Sequence, residues 1–193
     1  VMRLAWLSLS IIAMLAACAS PRASFYRLST DDTLTATAVQ APARPVIVGP
    51  VTVPDLVDRP QIVTRNTDNE VALNEFARWG EPLKSSIADA IAGDLTVLLG
   101  SDRVAVASRA IPETQALRVR VDIQQFESIP GDAVMIDARW SVRGNMDDAG
   151  ATGRSLVREA VTGPDFDALV AAHSRALGRV SRDIAGAVGG GGR

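Results

Sequence analysis

The chain contains a single cysteine, a single histidine and few aromatic residues (4% of 193), and each scarcity removes a class of function. One cysteine excludes an intrachain disulfide, so the fold rests on apolar packing, which a hydrophobic fraction of 47% can supply. One histidine, His173, leaves a zinc site to carboxylates almost alone, a donor set that zinc seldom takes. His173 also sits on the apolar face of a helical stretch, which reads as a core-edge side chain. No G-x-S-x-G elbow marks a nucleophilic serine, and no G-x-x-x-x-G-K-[ST] loop is present to cradle phosphates. Asp147-Asp148 reads as a solvated turn rather than a calcium site, and no carboxylate pair is spaced as an acid and a base. The expectation is a protein that is not an enzyme and has no cofactor, no metal site and no catalytic residue. A formal net charge of −2 and few stacking side chains also disfavour nucleic acid as a partner.

What is present starts with Leu15-Ala16-Ala17-Cys18, which reads as a lipobox. Arg3 supplies a positive n-region, residues 4–15 a short apolar run, and Ala16 and Ala17 the small residues a signal peptidase needs before its cut. The apolar run falls short of the roughly 20 residues that cross a bilayer. Residues 1–17 are therefore expected to be a lipoprotein signal peptide and Cys18 the site of lipidation, with acyl chains such as palmitate. Removing 17 of 193 residues leaves 176, enough for one domain that buries about 70% of its unfolded surface. Arg3 leaves with the signal, so 19 basic residues face 22 acidic ones, a formal net charge of −3.

Along the mature chain, residues 18–24 read as a lipidated tether, 25–188 as a single α+β domain and 189–193 as a flexible tail. Residues 25–28 alternate as a brief strand, and 29–45, rich in Thr, Asp, Ala and Pro, read as a loop of the passive-linker kind. Residues 46–53 are β-rich, and Gly49-Pro50 within them implies a bulge or an edge position. Residues 61–65 and 70–73 flank a turn and read as a hairpin. Pro82 suits the first position of a helix and Gly100 the residue after its end, with Leu83, Ile87, Ile91, Leu95 and Leu98 on one face. Gly93 implies close packing of that helix against a sheet. A short strand follows at 103–108. Residues 117–124 and 134–143 then alternate cleanly as two half-buried strands, and 154–161 form a third of unassigned face. Pro164 opens a last helix whose apolar face carries Phe166, Leu169, Val170, His173, Leu177, Val180, Ile184 and Val188, with Arg175, Arg179 and Arg182 on another face. The predicted fold is α+β, a mixed, mostly antiparallel sheet with two main helices packed on one face.

One block has a more specific likeness. Val48-Gly49-Pro50-Val51, Pro54, Asp58-Arg59-Pro60-Gln61-Ile62-Val63, Arg65, Glu75 and Arg78-Trp79-Gly80-Glu81-Pro82-Leu83 resemble, in order and in gaps, the signature of the PqiC-type ABC transport auxiliary lipoproteins. Gly80, in place of a small residue such as alanine, and Leu56-Val57, in place of an aromatic, depart from it. The resemblance implies a non-catalytic lipoprotein of a membrane-integrity, lipid-transport system, anchored through Cys18 on the periplasmic face of the outer membrane. Its partner would be a periplasmic mammalian-cell-entry-domain protein, whose conduit it docks, and homo-oligomerisation is left open. Gly49, Pro50, Pro54, Asp58, Arg59, Pro60, Arg78, Trp79 and Pro82 would then be structural or partner-contact positions. Trp79 reads as a core anchor, and Arg59 and Arg78 as donors of structural hydrogen bonds. Contact is expected through loops or strand edges, including one at Gly49-Pro50, and the net charge of −3 implies that it survives moderate salt. The alternative is a structural lipoprotein that assists assembly of another envelope complex.

Overall fold

The computed structural model describes residues 22–36, 42–109, 115–144 and 150–190. The signal peptide, Cys18, Asp147-Asp148 and residues 191–193 lie outside them. In chain order the elements are β1 (Ser24–Tyr26), β2 (Val46–Thr52), β3 (Gln61–Arg65), β4 (Val71–Trp79), α1 (Leu83–Leu99), β5 (Val104–Val106), β6 (Leu117–Ile129), β7 (Ala133–Arg143), β8 (Ala151–Ala160) and α2 (Phe166–Gly190). They form an α+β fold with two mixed sheets in place of the single one expected. The five-stranded sheet runs β5-β2-β6-β7-β8 and the three-stranded sheet β1-β4-β3.

The β6, β7 and β8 meander is antiparallel over its whole length, from Arg118 opposite Arg143 to Ile129 opposite Ala133, and from Ala133 opposite Ala160 to Val142 opposite Ala151. Its alternation places Val119, Val121, Ile123, Val134, Ile136, Ala138 and Val157 on the buried face, as period-2 side chains must. β2 lies parallel between β5 and β6. The edge position expected for Gly49-Pro50 is thus corrected: the Val46 amide donates to the Arg103 carbonyl and the Ala107 amide to the Val48 carbonyl, both at 2.8 Å, closing the side that an edge would leave open. The bulge holds, because pairing with β6 slips between Val48 and Val51, where Pro50 offers no donor.

Both helices cover one face of the large sheet and each other, α1 over β2 and β5, α2 over β7 and β8. In α1 the expected stripe is sealed, with Leu83, Ile87, Ile91, Leu95 and Leu98 all buried. Pro82 stands one residue earlier than predicted, as the N-cap, and Gly100 closes the helix in the left-handed region with its amide on the Thr96 and Val97 carbonyls. α2 continues through Gly189 and Gly190, two residues past the boundary expected at Val188. The second strand of the small hairpin is longer than predicted, because β4 extends through a slip in register to Trp79.

Residues 27–36 are no passive linker. Leu28, Asp31 and Leu34 are buried, and this strap crosses the two helices. A side chain at Gly93 would strike Thr30 and one at Gly178 would strike Asp31, so the missing Cβ atoms let the strap seat. Gly93 therefore marks packing against the strap, not against the sheet.

Candidate functional site

Seven of the nine motif positions lie in the small sheet, in the loop before it or at the helix start beside it, and Gly49 and Pro50 lie on the bulged strand of the large sheet. Residues 54–60 form a tight corner: the Val57 and Asp58 amides donate to the Pro54 carbonyl at 3.0 and 3.2 Å, and the Arg59 amide donates to Val57 at 2.9 Å. The corner is tied to β4 through the Trp79 amide on the Pro60 carbonyl (2.7 Å), and β4 is tied to β1 through the Gly80 amide on the Tyr26 carbonyl (2.7 Å). Asp58 pairs with Lys84 in the first turn of α1 at 2.6 Å. Trp79 is buried and meets Phe126 edge-on at 6.3 Å, so it anchors the small sheet to the large one as the bulk of an indole suggests. Gly49 and Pro50 belong to the large sheet, where Gly49 packs on Ala107.

The two motif arginines are less engaged than expected. Arg78 lies 3.7 Å from Glu75, and the Nε atoms of both Arg59 and Arg78 are buried without a hydrogen-bond partner among the described residues. Arg78 lies on the outer side of the small sheet, with Gln61 opposite it. Phe25 is the register partner of Arg78 on its other side.

The outer face of the large sheet is built from the polar half of the same alternation. Arg118 and Arg143 are opposite one another, as are Arg139 and Arg154, and Arg120 and Arg158 extend the row. Like charges directly across a ladder repel. Asp137 offsets part of the charge by accepting two bonds from Arg154, at 2.9 and 2.7 Å, and the Arg154 hydrogen bond holds its carboxyl below the usual range. Arg158 pairs with Asp132 at 2.7 Å. A net negative chain thus carries a local arginine face, a feature that total charge conceals.

Two polar clusters are buried. Asp94 is fully buried in α1; one of its oxygens accepts the Asp31 amide at 2.9 Å and the other the Ser181 hydroxyl at 2.8 Å. Burial pushes its carboxyl up to about 6 despite these bonds. Asp31 is itself bound by Thr33 at 2.7 Å and faces Arg182 at 3.7 Å. The second cluster is His173 with Ser128. Nε2 lies 2.8 Å from the serine hydroxyl, and the ring stacks on Phe126 at 4.0 Å. His173 is fully buried, deeper than a core edge, and burial lowers its imidazole to about 3, so it is neutral at ordinary pH. Serine and histidine at bonding distance are the start of a nucleophile and base. Here both are sealed from solvent and Nδ1 has no orienting partner, so the pair serves packing. Sequence reasoning missed this pair, the strap cluster and the arginine face; only the last left a trace, in the arginines alternating through residues 118–120 and 139–143. Among the described residues no group of acids, histidines or cysteines is arranged to hold a metal ion.

Two solved structures share this arrangement. One, an uncharacterised protein, superposes with a TM-score of 0.69 at 18% identity, covering 86% of this chain and 97% of its own. The other, protein XCC0632 from Xanthomonas campestris, assigned to the DUF330 family, gives 0.67 at 19% identity over 84% of this chain and 93% of its own. At such identities the likeness is one of fold. Comparison with curated proteins finds no match. The family model described as "ABC-type transport auxiliary lipoprotein component" matches residues 26–185. That match takes in the strap, both sheets and nearly all of both helices, and the chain therefore belongs to the ABC-type transport auxiliary lipoprotein family.

Proposed function

We propose that this chain is a PqiC-type auxiliary lipoprotein, anchored through Cys18 in the outer membrane, that docks the outer end of a periplasmic mammalian-cell-entry conduit carrying lipid between the two membranes. The observation that carries the reading is the family match over residues 26–185, starting within a few residues of the lipobox. It is supported by what the side chains offer. The motif corner is built to hold shape, the serine and histidine pair is inaccessible, and no described helix is long and apolar enough to cross a membrane. A domain of this kind acts by holding and positioning a partner.

The arginine face revises how the partner is gripped. Contact at Gly49-Pro50 is withdrawn, since β5 and β6 flank that strand. The free edge in this region is β8, at the end of the large sheet, with Arg154 and Arg158 beside it. An exposed edge can accept a strand, and a cationic face suits an acidic surface. Binding of the periplasmic partner through this face weakens as salt rises, the reverse of what the net charge implied.

Co-purification of the mature domain with the mammalian-cell-entry protein of the same system tests the reading. Association that falls with salt and with Arg118→Glu supports it. No association at any salt, with recovery in an unrelated assembly complex, favours the structural-lipoprotein alternative. Anchoring is tested separately, by mass spectrometry of the N-terminus. Cys18→Ser is expected to leave unlipidated precursor, since an alcohol cannot form the thioether. Fractionation reads the membrane: Ala19, in place of an aspartate, after Cys18 favours release to the outer one, and recovery wholly with inner membranes contradicts it.

A further inference from the structure

The outward face of the small sheet exposes four large apolar side chains among Gln61, Arg65, Glu75 and Arg78. In β4 the inward positions are Ala72, Asn74, Ala77 and Trp79: the last two are buried, and the first two are less exposed than the residues that alternate with them. Alternation, with one slip around Glu75 and Phe76, turns Val71, Leu73, Phe76 and Arg78 the other way. Phe25 is opposite Arg78 and joins them. The exposures agree: Phe25 is 67% exposed, Phe76 50%, and Val71 and Leu73 43% each. Among the described residues no other solvent-facing sheet face gathers large apolar side chains, and only Leu56 and Leu156 are comparably bare elsewhere. Such a patch marks a contact.

From this face the geometry points to a lipid surface as the occupant: the outward side of the β1-β4-β3 sheet rests on the bilayer that holds the anchor. Phe25 follows Cys18 by seven residues, a span of at most about 25 Å even when fully extended. A domain tied that closely presents to the membrane whatever surface lies around β1, and that surface is this face. Its chemistry fits the interfacial zone, where apolar side chains enter the boundary between headgroups and acyl chains and cationic ones meet phosphate. Arg78, opposite Phe25 and with its side chain 34% exposed, supplies the cationic group on this face. Seating the small sheet on the membrane leaves the arginine face of the other sheet for the partner. The inference rests on the lipid-anchoring reading.

Because lipidation consumes the only cysteine, an introduced thiol can be labelled uniquely in the mature lipoprotein. A nitrobenzoxadiazole label is placed at Leu73→Cys in the small sheet or at Leu156→Cys, also solvent-facing, on the large one. Each protein is reconstituted into vesicles of phosphatidylethanolamine and phosphatidylglycerol carrying a fraction of doxyl-labelled lipid. The label at position 73 is expected to lose most of its emission and that at 156 almost none. Equal indifference at both sites overturns the inference. So does a label at 73 that ignores the lipid quencher and is shielded only when a periplasmic partner protein is added, since the occupant is then a protein. If mass spectrometry finds Cys18 unmodified, the anchoring reading fails, and the face is tested on the same chain held to nickel-chelating vesicles by a hexahistidine tag in place of residues 1–18. The same contrast there supports the face, and its absence sinks it.

Discussion

The three-stranded sheet turns Phe25, Val71, Leu73 and Phe76 to solvent, whereas the five-stranded sheet turns out Arg118, Arg120, Arg139, Arg143, Arg154 and Arg158. Their inner faces do not differ in this way. Both are apolar and merge in one core, in which Trp79 from the small sheet meets Phe126 from the large one. The contrast lies wholly in residues that contribute little to holding the fold, which is where a surface is free to be specialised. It also follows the chain: the exposed apolar side chains come from residues 25–76 and the arginines from residues 118–158. The two contacts proposed above, with membrane and with partner, would fall on different sheets that share one core.

The most severe way to break the comparison is to detach the small sheet from the core. Trp79→Ala removes its buried anchor and is expected to cost about 3–5 kcal/mol, measured by denaturant unfolding of the mature domain. A loss under about 1 kcal/mol would mean that the small sheet is held mainly by its backbone ties.

A pH series probes the strap that leads from β1 to the helices. The folded-state carboxyl of Asp94 is raised from 3.8 to about 6, so the folded state holds a proton that the unfolded state has released. Its ionisation penalty is absent below the unfolded value, grows between the two values and is complete above about 6. Asp31 and Arg182 are the charged groups facing it, and burial outweighs them. Asp94→Asn keeps an acceptor for the Asp31 amide and removes the titration. The stability of the variant relative to the parent is therefore expected to rise by about 3 kcal/mol as pH increases through this window. A difference that stays flat with pH in chemical unfolding would contradict the assignment.

Where α2 meets the large sheet, His173→Gln loses the stacking on Phe126 and is expected to destabilise by about 0.5–3 kcal/mol without removing any chemistry. Loss of function, read as envelope integrity under detergent stress, with unchanged melting would reopen a ligand or catalytic role for His173 and Ser128. Smallest of all, Leu73→Ser and Leu156→Ser are each expected to shift stability by no more than about 0.5 kcal/mol. If the comparison of the two outer faces is right, the two equal stabilities separate in function, the first variant losing membrane contact and the second not. A large stability cost at position 73 would show that its face is part of the core.

How much was legible in advance follows from the range of each signal. The stripe of Leu83, Ile87, Ile91, Leu95 and Leu98, the alternation through residues 117–124 and 134–143, and Gly100 as a helix stop are local patterns, and they stand in the structure. The motif block was legible as a likeness, and its corner at residues 54–60 proved compact. The buried role of Asp31 was not, because an Asp in a Thr- and Asp-rich stretch looks solvated until Gly93 and Gly178 on two distant helices leave room for it. Nor was the pairing of Ser128 with His173, 45 residues apart.

The sequence by itself determined the α+β class, the two amphipathic helices and the meander, because periodicity and short motifs act through neighbours along the chain. Only the tertiary structure decided that β2 is interior despite Pro50, that the strands split into two sheets, that a strap locks onto Asp94, and that one outer face is apolar and the other cationic. Each of these depends on which distant segments pack together, and that is settled by the burial of the whole core rather than by any local preference.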